Sequence, residues 1–395
     1  MSTGMSARDP LGHPVYRNMP TTIFEKMSAR ARETGAINLG QGFPDAQGPE
    51  EILRAAADAL LTRSNQYPPM AGIAELREAV AAHYARHQDL DLTAQEVIVT
   101  SGATEAIAAS LLALVRPGDE VLVLAPLYDA YLPLIERAGG VARVLRLTPP
   151  DWRIGRDALE AAVTGNTRFL LMNNPVNPTG IALRDEELAL LAAFCVEHDL
   201  IAICDEVWEH VTFDGIAHKP LIGFPGMRER TVKIGSAGKI FSLTGWKVGW
   251  MCAAPPIATL LARAHQFVTF TTPPNLQWAV AEGLAKPEGW FAAMREGYQA
   301  SRDRLAEGLR GAGYAVNSSA ATWFVTIDLP ASGIAMDDVT FCERIIDEAG
   351  VAAIPISAFY PADPVTHLVR LCFSKADEVL DQAVARLAAF RSSLA

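Results

Sequence analysis

The run Gly235-Ser236-Ala237-Gly238-Lys239-Ile240-Phe241-Ser242-Leu243-Thr244-Gly245-Trp246-Lys247-Val248-Gly249 sets two lysines in a frame of small residues. Lys239 follows a β-branched run, and Lys247 stands beside Gly249. An amine fenced in this way, next to a second cation, is arranged to attack a carbonyl close to a phosphate site. An ordinary lysine has a pKa near roughly 10.4, so at neutral pH it is a poor nucleophile and a poor base. Held as an imine on an aldehyde it becomes a preformed electrophile, and once released it can carry a proton. A lone Gly-Lys pair ordinarily marks a surface turn, so the reading rests on the residues around it.

The strongest of these is Asp205, which ends the apolar run Ile201-Ala202-Ile203-Cys204-Asp205. A carboxylate there faces a desolvation cost of several kcal/mol unless something positive meets it. A helix N-cap after the strand is the competing role for Asp205 alone. A pyridinium nitrogen also meets the need, and the pair would let such a ring take up the electrons of a substrate carbanion. In Asn173-Asn174-Pro175-Val176-Asn177-Pro178-Thr179-Gly180 the prolines fix φ and Gly180 permits a tight bend, presenting Asn177 rigidly. Its amide can donate to a phenolate oxygen. Ser101-Gly102-Ala103-Thr104-Glu105-Ala106 joins a strand to a helix and offers N–H groups and a positive dipole end to a phosphate. Ser236 adds a hydroxyl and Lys247 a charge. Aldehyde, pyridinium, phenolate and phosphate together describe pyridoxal 5'-phosphate, the expected cofactor. No metal is expected.

Two other phosphate motifs fail. In a Walker A loop position 233 would be glycine, but it is Lys233, and Ile240 follows the lysine where Ser or Thr belongs. No GxGxxG follows the first strand. The S-x-x-K pattern of serine acyl enzymes is present as Ser236 to Lys239, but the only downstream Thr-Gly follows Leu243, so the K-T-G element is missing.

These residues need a scaffold that carries strand ends to one edge. Between about residues 95 and 255 short β-branched runs alternate with helical patterns, predicting βα units and a mostly parallel sheet. The strands are expected at Glu96–Thr100, Glu120–Leu124, Phe169–Asn173, Leu200–Asp205, Thr231–Gly235 and Val248–Ala253; several are apolar without alternation, as in strands covered on both faces. Helices are expected at Thr104–Val115 and Asp185–His198. A long polar helical pattern from Pro287 to about Leu309 leads into short strands near 321–329 and 367–373 and helices near 337–349 and 375–389, a smaller α+β unit. The segment up to Gly42 is too poor in core residues to stand alone. The expected division is thus 1–42 packing with the small domain, 43–290 as the large cofactor domain and 291–395 as the small one.

The 395 residues are 50% hydrophobic, ample for two cores. The longest apolar runs fall far short of the roughly 20 residues that cross a bilayer, and the polar Met1–Pro14 start has no export signature. A cytoplasmic protein without membrane association is expected. The five cysteines are scattered and lack a CxxC pair, so they read as reduced core residues. A formal charge of −11 repels a phosphate backbone, arguing against nucleic acid as a partner.

Taken together the motifs resemble the class I aminotransferases of pyridoxal phosphate fold type I, in particular the kynurenine and glutamine aminotransferase branch. The resemblance runs from Thr21-Thr22-Ile23-Phe24 and Asn38-Leu39-Gly40-Gln41-Gly42-Phe43-Pro44-Asp45 to Ile354-Pro355-Ile356-Ser357-Ala358-Phe359-Tyr360 and Arg370-Leu371-Cys372-Phe373. It implies an α/β fold with a mostly parallel seven-stranded sheet sandwiched by helices, and a homodimer with shared sites. By this resemblance Lys239 is the Schiff-base lysine, Asp205 pairs with the pyridine nitrogen, Asn177 meets the phenolate oxygen and Tyr128 stacks on the ring. Ala103, Thr104, Ser236 and Lys247 hold the phosphate, and Tyr67 reaches it across the dimer interface. Arg370 clamps the substrate carboxylate, a task its fork suits, and Gly42 brings a backbone amide near.

Where the family usually has a tyrosine on the phenolate oxygen, this chain has Trp208, whose indole lacks an ionisable hydroxyl. The lysine imine is therefore expected to titrate higher than in tyrosine-bearing relatives. Thr271, after Phe270, stands where some kynurenine enzymes carry histidine. No second arginine stands out for an ω-carboxylate, and Tyr131, Phe270, Phe359 and Tyr360 are candidate pocket walls. Transfer of an amino group from a neutral or aromatic L-amino acid (methionine, glutamine, aromatic or kynurenine-like) to a 2-oxo acid is the expected activity. Cysteine S-conjugate β-lyase and dicarboxylate-type (aspartate or N-succinyldiaminopimelate) transamination are the alternatives.

Overall fold

A computed structural model describes residues 11–17 and 19–394; much of the N-terminal stretch read for export signals lies outside them. Seven strands form the main sheet, in the order Val97–Thr100, Gly249–Cys252, Thr231–Ser236, Ile201–Asp205, Thr167–Asn173, Glu120–Ala125 and Val141–Arg146. All neighbours run parallel except Gly249–Cys252, which is antiparallel to both of its neighbours. The apolar runs without alternation are explained by burial on both faces. Ile98 and Met251 join one apolar core, whereas Val97, Val99, Trp250 and Cys252 join another. Helices such as Gly102–Leu114 and Asp185–Glu197 connect the strands.

Six strands fall close to their expected positions. The strand expected from Phe169 begins two residues earlier, at Thr167, and Glu96 closes a 3-10 turn, Ala94–Glu96, where its carboxylate accepts from the N–H of Thr93. The seventh, Val141–Arg146, was not expected. It is an edge strand with mostly solvent-facing residues, two of them arginines, so it lacks the continuous apolar run of its neighbours.

Beyond the helix Glu288–Gly311, an antiparallel sheet takes the order Ile354–Pro355, Leu368–Cys372, Phe324–Asp328 and Ala315–Val316. The helix expected to run to Ala349 is α-helical only over Asp338–Arg344; Ile345–Ala349 is a π turn, closed by Gly350 at φ 64°. Ile37–Asn38 pairs in parallel with Val351–Ala352, joining the N-terminal segment to this part of the chain. All five cysteines are free and buried. No helix among the described residues is long and apolar enough to cross a membrane.

Parallel order brings the carboxyl ends of successive strands to one edge, where open α/β sheets bind ligands. Asn173 and Asp205 end two of them, and the short helix Ala237–Ile240 that carries Lys239 follows the third. Register completes the edge: Thr100 and Ser236 both pair with Gly249, so the loop before the Gly102–Leu114 helix lies beside the lysine segment.

Candidate active site

Lys239 lines two adjoining cavities, of about 200 and about 310 Å³, that share Tyr128, Asn177, Trp208 and the lysine itself. The first is completed by Gly102, Ala103, Thr104, Asp205, Ser236 and Lys247, among others. The second includes Phe24, Gly42, Asp129, Phe324 and Arg370. A larger cleft of about 840 Å³, lined by residues such as His87, His210 and Arg295, contains none of the residues singled out in the sequence.

The Nζ of Lys239 lies 4.7 Å from the ring centre of Trp208 and 4.9 Å from that of Trp323. Burial pushes its pKa down to about 8, against the opposing pull of the Asp205 carboxylate. Asp205 accepts a hydrogen bond from the hydroxyl of Tyr131 at 2.6 Å through Oδ2, while Oδ1 is buried with no partner. Burial raises the pKa of this carboxyl, outweighing the hydrogen bond from Tyr131, the backbone at Val207 and the charge of Lys239. An unpartnered carboxylate oxygen in a cavity beside a lysine fits a protonated ring nitrogen.

Asn177 is fixed from two sides. Its backbone N–H donates to Oδ1 of Asn173 at 2.8 Å, and Asn173 Nδ2 donates to the carbonyl of Asp205, also at 2.8 Å. The side-chain oxygen of Asn177 accepts from Arg370 Nη1 at 2.8 Å, which leaves its amide nitrogen as the free end.

Lys247 packs against the start of the Gly102–Leu114 helix. A Cβ on Gly102, which has φ +75°, would meet the Cε and Nζ of Lys247 at 3.2 Å. Gly249 allows the close approach of these segments, since a Cβ there would come within 2.8 Å of the Gly102 carbonyl carbon. The N–H of Ser101 is occupied by Glu105 Oε2 at 2.9 Å, so the cradle open to an anion is formed by Gly102, Ala103, Thr104, Ser236 and Lys247.

Arg370, on the strand Leu368–Cys372, is 3% exposed. Nη2 donates to the carbonyl of Gly40 at 2.7 Å, Nε has no partner, and the guanidinium lies 4.0 Å from the ring centre of Phe324. Burial lowers its pKa to about 10, leaving it charged at neutral pH. Only glycine fits at position 42, where a Cβ would stand 2.6 Å from Phe324 Cζ.

Several expected residues are not brought together. Tyr131 is no pocket wall: it lies behind the cavity and holds Asp205. Phe359 is buried beneath Arg370, 5.0 Å from the guanidinium. Tyr360 donates to the carbonyl of Leu147 at 3.0 Å, and neither cavity touches it. Tyr67 and Phe270 form an edge-to-face pair, 5.5 Å between centres, outside both cavities, and Tyr67 is 84% exposed. Sequence reasoning missed Trp323, Phe324 and Asp129. The first two sit in an apolar strand segment that reads as core; Asp129 was visible only as the neighbour of Tyr128.

Comparison with known proteins identifies the family. A family model described as aminotransferase class I and II matches residues 34–387. A probable N-succinyldiaminopimelate aminotransferase of Mycobacterium tuberculosis is 46% identical over 384 residues, covering 94% of this chain and 96% of that protein. A methionine aminotransferase of Escherichia coli is 38% identical over 372 residues, covering 93% and 95%. The solved structure of the M. tuberculosis N-succinyldiaminopimelate aminotransferase, 46% identical, superposes with a TM-score of 0.92, covering 96% of this chain and 99% of that one.

Proposed function

Since the chain belongs to the class I and II aminotransferases, we propose that it takes the amino group of a neutral or aromatic L-amino acid and passes it to a 2-oxo acid. The cofactor is pyridoxal 5'-phosphate, which when bound supplies an aldehyde for the amine and an electron-poor ring that stabilises charge at the α-carbon.

The roles proposed for the chain's residues follow its geometry. Asp205 Oδ1 meets the ring nitrogen and Tyr131 orients that carboxylate. Asn177 offers its amide nitrogen to the phenolate oxygen, and Tyr128 covers the ring. Ala103, Thr104, Ser236 and Lys247 bind phosphate. Lys239 would hold the cofactor's aldehyde and, as a free amine, could carry the α-proton, a task favoured by a pKa near the working pH. Arg370 and the Gly42 segment hold the substrate carboxylate.

The observation that carries the substrate class is the charge lining the second cavity. Arg370 is its one arginine and Lys239, the amine that would be bound to the cofactor, its other cation; its aromatic walls are Phe24, Tyr128, Trp208 and Phe324, and its one acidic group is Asp129. One guanidinium serves the α-carboxylate, so a side-chain carboxylate would meet aromatic rings and a like charge. The M. tuberculosis relative named for a succinylated substrate favours a dicarboxylate-type reading instead. A donor panel with 2-oxoglutarate and pyruvate as acceptors decides: methionine, glutamine and phenylalanine are expected to exceed aspartate and N-succinyldiaminopimelate in kcat/KM by about tenfold or more. Preference for either acidic donor by orders of magnitude overturns the neutral-pocket reading.

We also infer a homodimer with shared sites. Tyr67, Phe270 and Phe267 present aromatic rings to solvent near one another in sequence or space, and Tyr67 is the residue expected to reach the neighbouring phosphate. Sedimentation showing a monomer with full activity would refute this. The division into 1–42, 43–290 and 291–395 is proposed with it, supported by the Ile37–Asn38 pairing and the break before Glu288–Gly311. The five buried free thiols fit a cytoplasmic, reducing location.

A further inference from the structure

Two indoles meet at the amine. Trp208, on the segment after the strand Ile201–Asp205, and Trp323, just before the strand Phe324–Asp328, stand edge-to-face with centres 4.9 Å apart and planes at 84°. Both are buried, and Lys239 Nζ lies within cation–π range of each. Trp208 also packs edge-to-face on Phe324, whose face supports Arg370. Lys239 and Arg370 therefore rest on one continuous aromatic frame, with neither bonded to a carboxylate.

We propose that Trp208 and Trp323 form a two-sided seat for the ε-ammonium of Lys239, holding the released amine in place with its proton on; Trp323 is thus a positioning residue for the reaction. Physical reasoning gives the seat a definite sign. Burial disfavours the charged amine, whereas the negative face of an indole favours it. The other groups acting on Nζ are Asp205 and Cys372, which favour the charge, and Lys247 and Arg370, which oppose it. Among the described residues no acceptor is hydrogen-bonded to Nζ, so the rings supply the local attraction that a carboxylate would otherwise give. The seat leaves the amine free to give up or take a proton without first breaking an ion pair. Substituting one ring by an aliphatic side chain should then lower the amine pKa. If the rings served only to exclude water, the same change would admit solvent and raise it.

The inference rests on Lys239 being the cofactor-bearing amine, and the test separates the two. Cofactor-free protein is mixed with pyridoxal 5'-phosphate between about pH 6 and pH 10, and the rate of capture is followed by absorbance. Capture joins Nζ to the aldehyde carbon with loss of one water and requires the unprotonated amine, so its pH midpoint reports the Lys239 pKa. The midpoint is expected to fall by about one pH unit in Trp323→Leu and by less in Trp323→Phe and Trp208→Phe, which keep a ring. A midpoint that is unmoved or rises in Trp323→Leu and in both ring-retaining variants overturns the seat. Absence of capture by the unaltered protein overturns the cofactor assignment instead. Should Trp323→Leu fail to fold, the order unaltered > phenylalanine variants still decides, since a phenylalanine face is the weaker of the two.

Discussion

Arg370 Nη1 donates to Asn177 Oδ1 at 2.8 Å, tying the residue proposed to bind substrate to the residue proposed to touch the cofactor. The bond fixes the amide so that its nitrogen faces the cavity, and it uses one arm of the guanidinium fork. A lysine cannot reproduce this, because its ammonium is a point charge on a flexible stem. Arg370→Lys should raise KM for the amino donor by about 100-fold with a smaller change in kcat, read from steady-state kinetics. An unchanged KM would remove Arg370 from carboxylate binding.

Asp205 makes opposite predictions for cofactor-free and cofactor-bound protein. Without a cation opposite Oδ1, the buried carboxylate is a cost, and its raised pKa means that the folded state keeps a proton that the unfolded chain releases. Stability of the cofactor-free protein should therefore fall as pH rises from about 4, the unfolded value, through the higher folded value. Asp205→Asn should abolish that slope and melt at the same temperature or higher, while turnover falls by at least about 100-fold. Thermal scans of the cofactor-free variant against pH check the first part, and half-reaction rates check the second.

Much of the site was legible because its chemistry sits at strand ends. Asp205, Asn177 and the Ser101 to Thr104 turn are each announced by an apolar run followed by residues that belong nowhere else, and parallel order carries them to one edge. The aromatic residues were less legible, since an indole or phenyl ring looks alike in a core and in a cavity wall. Tyr131 read as substrate wall, but its hydroxyl supports Asp205; Trp323 was not singled out in the sequence, though it faces the amine. Phe270 and Tyr67 sit at the surface, where a single chain gives them no role in its own cavity. The Val141–Arg146 edge strand escaped because one-sided burial removes the apolar run that marked the others.

On the strand that leads to Lys239, Lys233 carries structure and not chemistry. Its Nζ contacts Glu206 Oε2 at 2.7 Å and Glu209 Oε2 at 2.9 Å, with all three side chains fully buried. The ion pairs hold the lysine well above its ordinary pKa and lower that of Glu206 to about 2. Lys233→Met leaves two buried carboxylates without their shared cation and should cost about 3–5 kcal/mol in denaturant unfolding. In the unaltered protein the Glu206 contribution is fully present above the unfolded carboxylate pKa and is lost as pH falls through about 2. Equal denaturation midpoints for the variant and the unaltered protein would contradict this.

Trp208 offers the sharpest test of how the resting lysine–aldehyde bond is tuned. A tyrosine there would place an ionisable hydroxyl in the cavity shared by Asn177 and Lys239, able to donate a hydrogen bond to the phenolate oxygen of a bound cofactor. A donating hydroxyl stabilises the phenolate and with it the anionic partner of the imine, yet it also weakens the phenolate's own hold on the imine proton. The second effect acts on the proton directly, so Trp208→Tyr is expected to lower the pH midpoint of the visible absorbance change, by about half a unit to one unit for a single added hydrogen bond. Trp208→Phe, which adds no donor, should leave that midpoint higher than the tyrosine variant. The reverse order would show that the indole lowers the imine pKa by itself, and the expectation drawn from the missing hydroxyl would be wrong.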